Sequence, residues 1–269
     1  GVRSVSDPGC AEHAAQGDGM VKGLAEQGFR LFDSDPRVLA WARAAADVAR
    51  EVAQDEAMQQ QWLRHQRTWF VGVDALPNAP DGSIKEVPLI GPWDEVITPP
   101  ERWHKAQISI VYEGYPKQHE AESDANHRFR ITRYAAHVDG ILLEQGRRYL
   151  REPHEFILGV PLGYSAASPL VVWPGSHVIM GDAFRALIGD QNPNTVDLTE
   201  GYKEARAEVF RQINPVKVPA VAGQSVLLHR HLLHGVAPWE EGDQAGSDGR
   251  MAAYFRPEFS QIEDWLNRP

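Results

Sequence analysis

Residues 224–238 read QSVLLHRHLLHGVAP, and residues 129–139 read FRITRYAAHVD. Each carries a short apolar or alternating run into histidine, and Gly223 opens the first. Runs of four to eight such residues, bounded by Gly, Pro, Asp or Asn, read as strands. The same texture recurs outward from them. It appears at 107–112 (QISIVY), 155–160 (EFILGV), 170–173 (LVVW), 216–221 (VKVPAV) and 251–255 (MAAYF), with an earlier run at 68–73 (TWFVGV). Helical spacing dominates near the start of the chain and in one insertion within this set. From Pro36 to about Leu63, Val38, Leu39, Ala42, Ala45, Ala46, Val48, Ala49, Val52 and Ala53 recur at helical intervals. The Asp35-Pro36 pair before them is a good helix start. Two further helical stretches fall near 181–187 and 198–213, a helical insertion spanning about 180–213. The expected architecture is mainly β with packing helices, an antiparallel jelly roll or barrel. We read the chain as one domain over 1–269. Its first part, 1–105, is helical and then Pro-rich, and packs on a jelly-roll core at 106–269. Residues 1–30 are small, polar and Gly-rich and are expected to be partly loose. The Pro-rich connection that follows residue 73 contains Trp93 and Trp103, which favours a packed lid over a free linker.

Chemistry concentrates in the two opening stretches. On a strand, residues i and i+2 face the same way, so His137 and Asp139 can reach one ion together. Alone this is a weak signal. With 11 histidines and 17 aspartates in 269 residues, chance supplies roughly 0.7 His-x-Asp. The second stretch adds His229, His231 and His234, any one of which could complete a site of two histidines and one carboxylate. That donor set, with its other face open, suits non-haem iron(II) oxygenases. In an unbroken strand His229 and His231 share a face and His234 takes the other, so His234 needs a bulge or strand end to re-aim it. A third piece is Arg250, which opens RMAAYFRP (250–257). An acidic co-substrate needs a forked cation at its distal carboxylate, and arginine supplies one. Arg256 has the same strand parity but lies roughly 20 Å further along an extended strand. Only one of the two can serve the metal site, and Arg256 reads as a surface or loop-anchoring cation.

The order of these pieces resembles a known family. His-x-Asp comes first, then PLVVWPGSH (169–177), then HGVAP (234–238), then a strand opened by arginine. This is similar to the phytanoyl-CoA dioxygenase-like branch of the Fe(II)/2-oxoglutarate-dependent oxygenases, over roughly 128–257. The resemblance implies a double-stranded β-helix (cupin-like) core, iron(II) as metal, and 2-oxoglutarate and molecular oxygen as co-substrates. It gives the metal to His137, Asp139 and His234 and the 2-oxoglutarate carboxylate to Arg250. In that branch the histidine of PGSH is not an iron ligand, so His177 is expected to anchor the turn after its strand. Arg133, which shares strand parity with His137, and Trp173 are candidates for the pocket wall. Related halogenases carry a small residue in place of the carboxylate, so Asp139 favours hydroxylation.

Composition limits the partners. A net charge of -10 and a pI near 5.6 disfavour a nucleic-acid or anionic-membrane surface. The longest apolar runs fall far short of a membrane span. A single cysteine, Cys10, forms no internal disulfide and suggests no structural zinc. The expected protein is a cytoplasmic enzyme acting on a small molecule. Two rival readings are a cupin-like metalloenzyme that does not use 2-oxoglutarate and a non-catalytic small-molecule binding protein on the same fold.

Overall fold

The computed structural model describes residues 23–267. Cys10 and most of the Gly-rich leading stretch lie outside them. After a helical turn at 23–27 come β1 (Phe29–Phe32), α1 (Pro36–Gln54), α2 (Glu56–Trp62), β2 (Leu63–Arg64), β3 (Trp69–Gly72), β4 (Gln107–Val111) and α3 (Asp124–Thr132). The chain continues with β5 (Ile141–Glu144), β6 (Arg147–Leu150), β7 (Phe156–Pro161), β8 (Leu170–Val172), α4 (Ser176–Ile188) and α5 (Thr199–Gln212). It closes with β9 (Val216–Val218), β10 (Ser225–His229), β11 (His234–Val236), β12 (Arg250–Phe255) and α6 (Asp264–Asn267). Seven strands form one sheet in the order β1-β10-β7-β12-β4-β3-β2, and three form a second in the order β11-β8-β9. Every paired strand in both is antiparallel. β5 and β6 make a separate hairpin.

The alternation of side chains sorts the core into three layers. On β7, Phe156, Leu158 and Val160 join Phe70, Ile108, Phe255 and the α1 face around Trp41, while Ile157 turns the other way. Ile157, Val226 and Leu228 of the large sheet meet Leu170, Val172 and Val218 of the small one, forming the layer between the sheets. Val171, Trp173 and Leu233 leave the small sheet on its outer side, toward Met180, Phe184, Tyr202 and Val209 of α4 and α5. Burying each large aliphatic or phenyl side chain stabilises the fold by roughly 1.5–3 kcal/mol. The architecture is therefore a mainly antiparallel jelly roll with helices packed on both outer faces.

Two expectations about elements need correction. The helix expected from Pro36 to Leu63 is two helices, because Asp55 ends α1 and its carboxylate caps α2, accepting from Met58 N at 2.9 Å. The strand expected at 129–135 is instead the second half of α3, to Thr132, and the turn that follows it. Ser123 caps that helix by accepting from Asn126 N at 3.2 Å, and Asp124 sits in its first turn. Tyr134 and Ala135 then take left-handed backbone, with φ 57° and 53°, and stop it. The Pro-rich segment is firmly packed: Trp93 and Trp103 are buried, and Trp41 Nε1 donates to Gly82 O at 2.9 Å.

Candidate metal centre

His234 begins β11, where the chain passes from the large sheet to the small one. β10 ends at His229, a turn follows, and the strand restarts with new neighbours, Val172 on one side and His137 on the other. This strand end re-aims His234 away from its two neighbouring histidines. His137 is held to it by two main-chain hydrogen bonds, His137 N to His234 O at 2.9 Å and His234 N to His137 O at 3.1 Å. Gly235 permits the approach, since a Cβ there would stand 2.1 Å from Tyr134 O. Asp139 follows two residues after His137, so the i, i+2 relation survives in this bridge although the preceding residues are helical. Gly140, at φ +82°, turns the chain away at once, against the main chain of Glu152.

The three side chains meet. Single ligand atoms of His137, Asp139 and His234 lie within 4.8 Å of one another, the one such cluster among the described residues. Asp139 Oδ1 is 3.0 Å from His137 Nε2 and 3.7 Å from His234 Nε2. Each imidazole turns its Nδ1 to a backbone carbonyl, His137 to Ala135 O and His234 to Leu232 O, both at 2.9 Å. A carbonyl only accepts, so Nδ1 carries a proton in both rings and Nε2 is the atom turned to the common point, free to ligate once any proton it shares with Asp139 is displaced. This is the orientation that metal-binding histidines take. The donors suit a divalent transition metal.

Charge is arranged to match. Burial alone would raise Asp139, but Arg256, His234 and His137 together outweigh it and hold its carboxyl well below the usual range. Desolvation opposes charge on His137 as well, yet the hydrogen bond and charge of Asp139 prevail and its pKa rises. Desolvation pushes His234 down to about 4, which keeps it neutral and able to ligate.

The cluster opens on a cavity of about 710 Å³ between the sheets. Ile157, Leu170, Leu228 and Val236 give it an apolar floor, and Trp69 and Tyr254 line it as aromatics. His104, Glu152, His154 and Arg256 bring polar groups to its wall. His154 is buried, with Nε2 3.3 Å from Glu152 Oε2.

Not every expected residue is brought here. Trp173 points from β8 to the outer side of the small sheet, its ring 5.5 Å from Phe210, because it shares parity with Val171 rather than with inward-facing Val172. Arg133 ends α3 and lies over the Phe210 ring at 4.7 Å, since the helix removes the strand parity that would have aimed it inward. Arg250 is on the inward face of β12 in phase with Tyr254 and Arg256, but it is not among the residues lining the cavity. It is buried, and its Nη1 makes no hydrogen bond. Arg256 is not a surface cation: it lines the cavity and donates from Nε to Asp139 Oδ2 at 2.6 Å. His229 and His231 face the other way, His229 with its ring 4.9 Å from that of His177 and tilted to it, and His231 lying 4.3 Å from Trp265. His177 donates from Nε2 to Ala25 O at 2.8 Å and so ties the start of α4 to the leading helical turn. Sequence reasoning missed Gln107, Glu152 and His154. No local motif marks them; only the pairing of distant strands places them on this wall.

No family profile matches the sequence, and no curated protein does. Solved structures do. The non-heme α-ketoglutarate-dependent carbocyclase SnoK from nogalamycin biosynthesis aligns over 93% of this chain and 90% of its own, at 18% identity and a TM-score of 0.51. The two share a fold. The epimerase SnoN, solved with Fe3+, α-ketoglutarate and nogalamycin RO, aligns over 90% of this chain and 83% of its own at 15% identity, with a TM-score of 0.47. EctD from S. alaskensis, with 2-oxoglutarate and 5-hydroxyectoine, aligns over 95% and 78% at 16% identity and a TM-score of 0.42. Among the described residues no helix is long and apolar enough to cross a membrane.

Proposed function

We propose that this protein is an iron(II)- and 2-oxoglutarate-dependent oxygenase that hydroxylates a small molecule, of the phytanoyl-CoA dioxygenase-like branch. One observation carries the reading: two imidazoles and one carboxylate converge at the wall of a large, mostly apolar cavity. His137, Asp139 and His234 would hold the metal. With 2-oxoglutarate and dioxygen, iron(II) supplies an oxidant for unactivated C–H bonds, and succinate and carbon dioxide are the co-products. The chain's own residues supply the rest. The Nδ1 hydrogen bonds fix both rings before any cation arrives. Ile157, Leu170, Leu228 and Val236 exclude water and present an apolar surface to the substrate body. Arg250 is proposed for the distal carboxylate of 2-oxoglutarate. Its support is a buried guanidinium with an unpartnered Nη1 in the inward phase of β12; Arg250 lies outside the cavity lining, whereas Arg256 lines the cavity but is already engaged by Asp139.

The test is anaerobic addition of iron(II) and 2-oxoglutarate to the purified chain, followed by oxygen. We expect a visible charge-transfer band and then succinate release, both lost in His234→Ala. Iron binding with no 2-oxoglutarate turnover would favour a cupin-type metalloenzyme instead, and absence of iron binding would end the proposal.

A further inference from the structure

We propose that Arg256 is a positioning residue that makes Asp139 a one-oxygen ligand, and so keeps a coordination position free for the co-substrate. This rests on the reading of the metal centre above and goes beyond it. The two oxygens of Asp139 have separate partners. Oδ2 accepts from Arg256 Nε at 2.6 Å, while Oδ1 faces His137 Nε2 at 3.0 Å and His234 Nε2 at 3.7 Å. A carboxylate that is free to rotate can offer both oxygens to one cation. This one is pinned by a charge-assisted bond, so only Oδ1 is turned to the histidines.

Arg256 is itself held in place. Its Nη1 donates to Gln107 Oε1 at 2.8 Å, and its backbone N donates to His104 Nε2 at 2.8 Å. Its guanidinium lies 5.6 Å from the centre of the Tyr254 ring. Lysine cannot reproduce this, because the bonds to Asp139 and Gln107 leave a planar fork in two fixed directions. The pair is largely buried, with side-chain exposures of 20% for Arg256 and 12% for Asp139. The clamp also joins the ligand to the cavity, since Gln107 and His104 both line its wall.

The experiment measures iron(II) dissociation constants anaerobically for the wild type, Arg256→Lys, Arg256→Met and His234→Ala, with cobalt(II) as a spectroscopic probe. Outer partners of metal ligands are typically worth 10- to 100-fold in metal affinity. We expect both Arg256 variants to lose about that much, and their cobalt(II) ligand-field spectra to shift toward a higher coordination number. Guanidinium added to Arg256→Ala should restore part of the affinity. Gln107→Leu, which keeps the arginine and its charge but removes one tether, should lose severalfold; it serves where an Arg256 variant does not fold. Wild-type affinity and an unchanged cobalt(II) spectrum in the folded variants would overturn the clamp and leave the metal centre standing. Wild-type protein that binds iron(II) no better than His234→Ala would overturn the reading of the centre, and the clamp with it.

Discussion

Arg250 and Arg256 lie six residues apart on one face of one strand, yet their surroundings differ. Arg256 is engaged by Asp139 and Gln107, whereas Arg250 is buried with Nη1 unpaired. An unpaired buried cation is costly unless an anion joins it, and that leftover hydrogen-bonding capacity is what supports proposing Arg250 for an acidic co-substrate. Arg250→Ala should raise the 2-oxoglutarate concentration needed for half-maximal succinate release by roughly ten- to a hundredfold, the worth of one or two charged hydrogen bonds, with the iron affinity unchanged. An unaltered 2-oxoglutarate requirement would remove Arg250 from the role. The sequence makes these residue types visible but not their partners. Nothing local to RMAAYFRP announces that Arg256 meets a carboxylate 117 residues away. His137, Asp139 and His234 were legible because their spacing and neighbours form a motif.

At the level of elements, most strands were readable from alternation, and α3 was not. Residues 129–132 alternate apolar and polar types as a strand would, but Ser123 and Asp124 upstream favour a helix start, and the cap decided. The consequence for the site is small because the bridge between His137 and β11 restores the needed geometry. That bridge depends on Gly235, which leaves no room for a methyl group beside Tyr134 O. Gly235→Ala should push β11 off the 134–137 segment and destabilise the fold by about 1–3 kcal/mol. It should also weaken iron(II) binding at least tenfold, read by anaerobic titration beside a thermal melt. Iron affinity equal to wild type in a folded Gly235→Ala protein would show that the ligands do not need this contact.

Across the whole molecule, the layered core was legible as alternation, while the burial of so many imidazoles was not, since burial is a property of the assembled layers. Desolvation, reinforced by nearby cations, pushes His229 down to about 3, and desolvation brings His234 down to about 4. In the unfolded chain both titrate near 6.5. Between about pH 6.5 and pH 4 the unfolded state therefore binds more protons, and stability falls as the solution is acidified. At pH 5 each costs about 2 kcal/mol relative to pH 7. His137, whose pKa is raised, has the opposite sign and offsets a part. The metal-free protein should melt roughly 5–10 °C lower at pH 5 than at pH 7, with a smaller difference in His229→Gln. A melting point that is flat or rises on acidification would contradict this account.

The paired main-chain bonds between His137 and His234 have one more implication. In small zinc-dependent domains the ion organises the chain, and stripping it dissolves the structure. Here two main-chain hydrogen bonds already draw the imidazoles together, so the ligands do not need an ion to bring them side by side. A centre built this way should survive chelation folded, and take its cation back when it is returned.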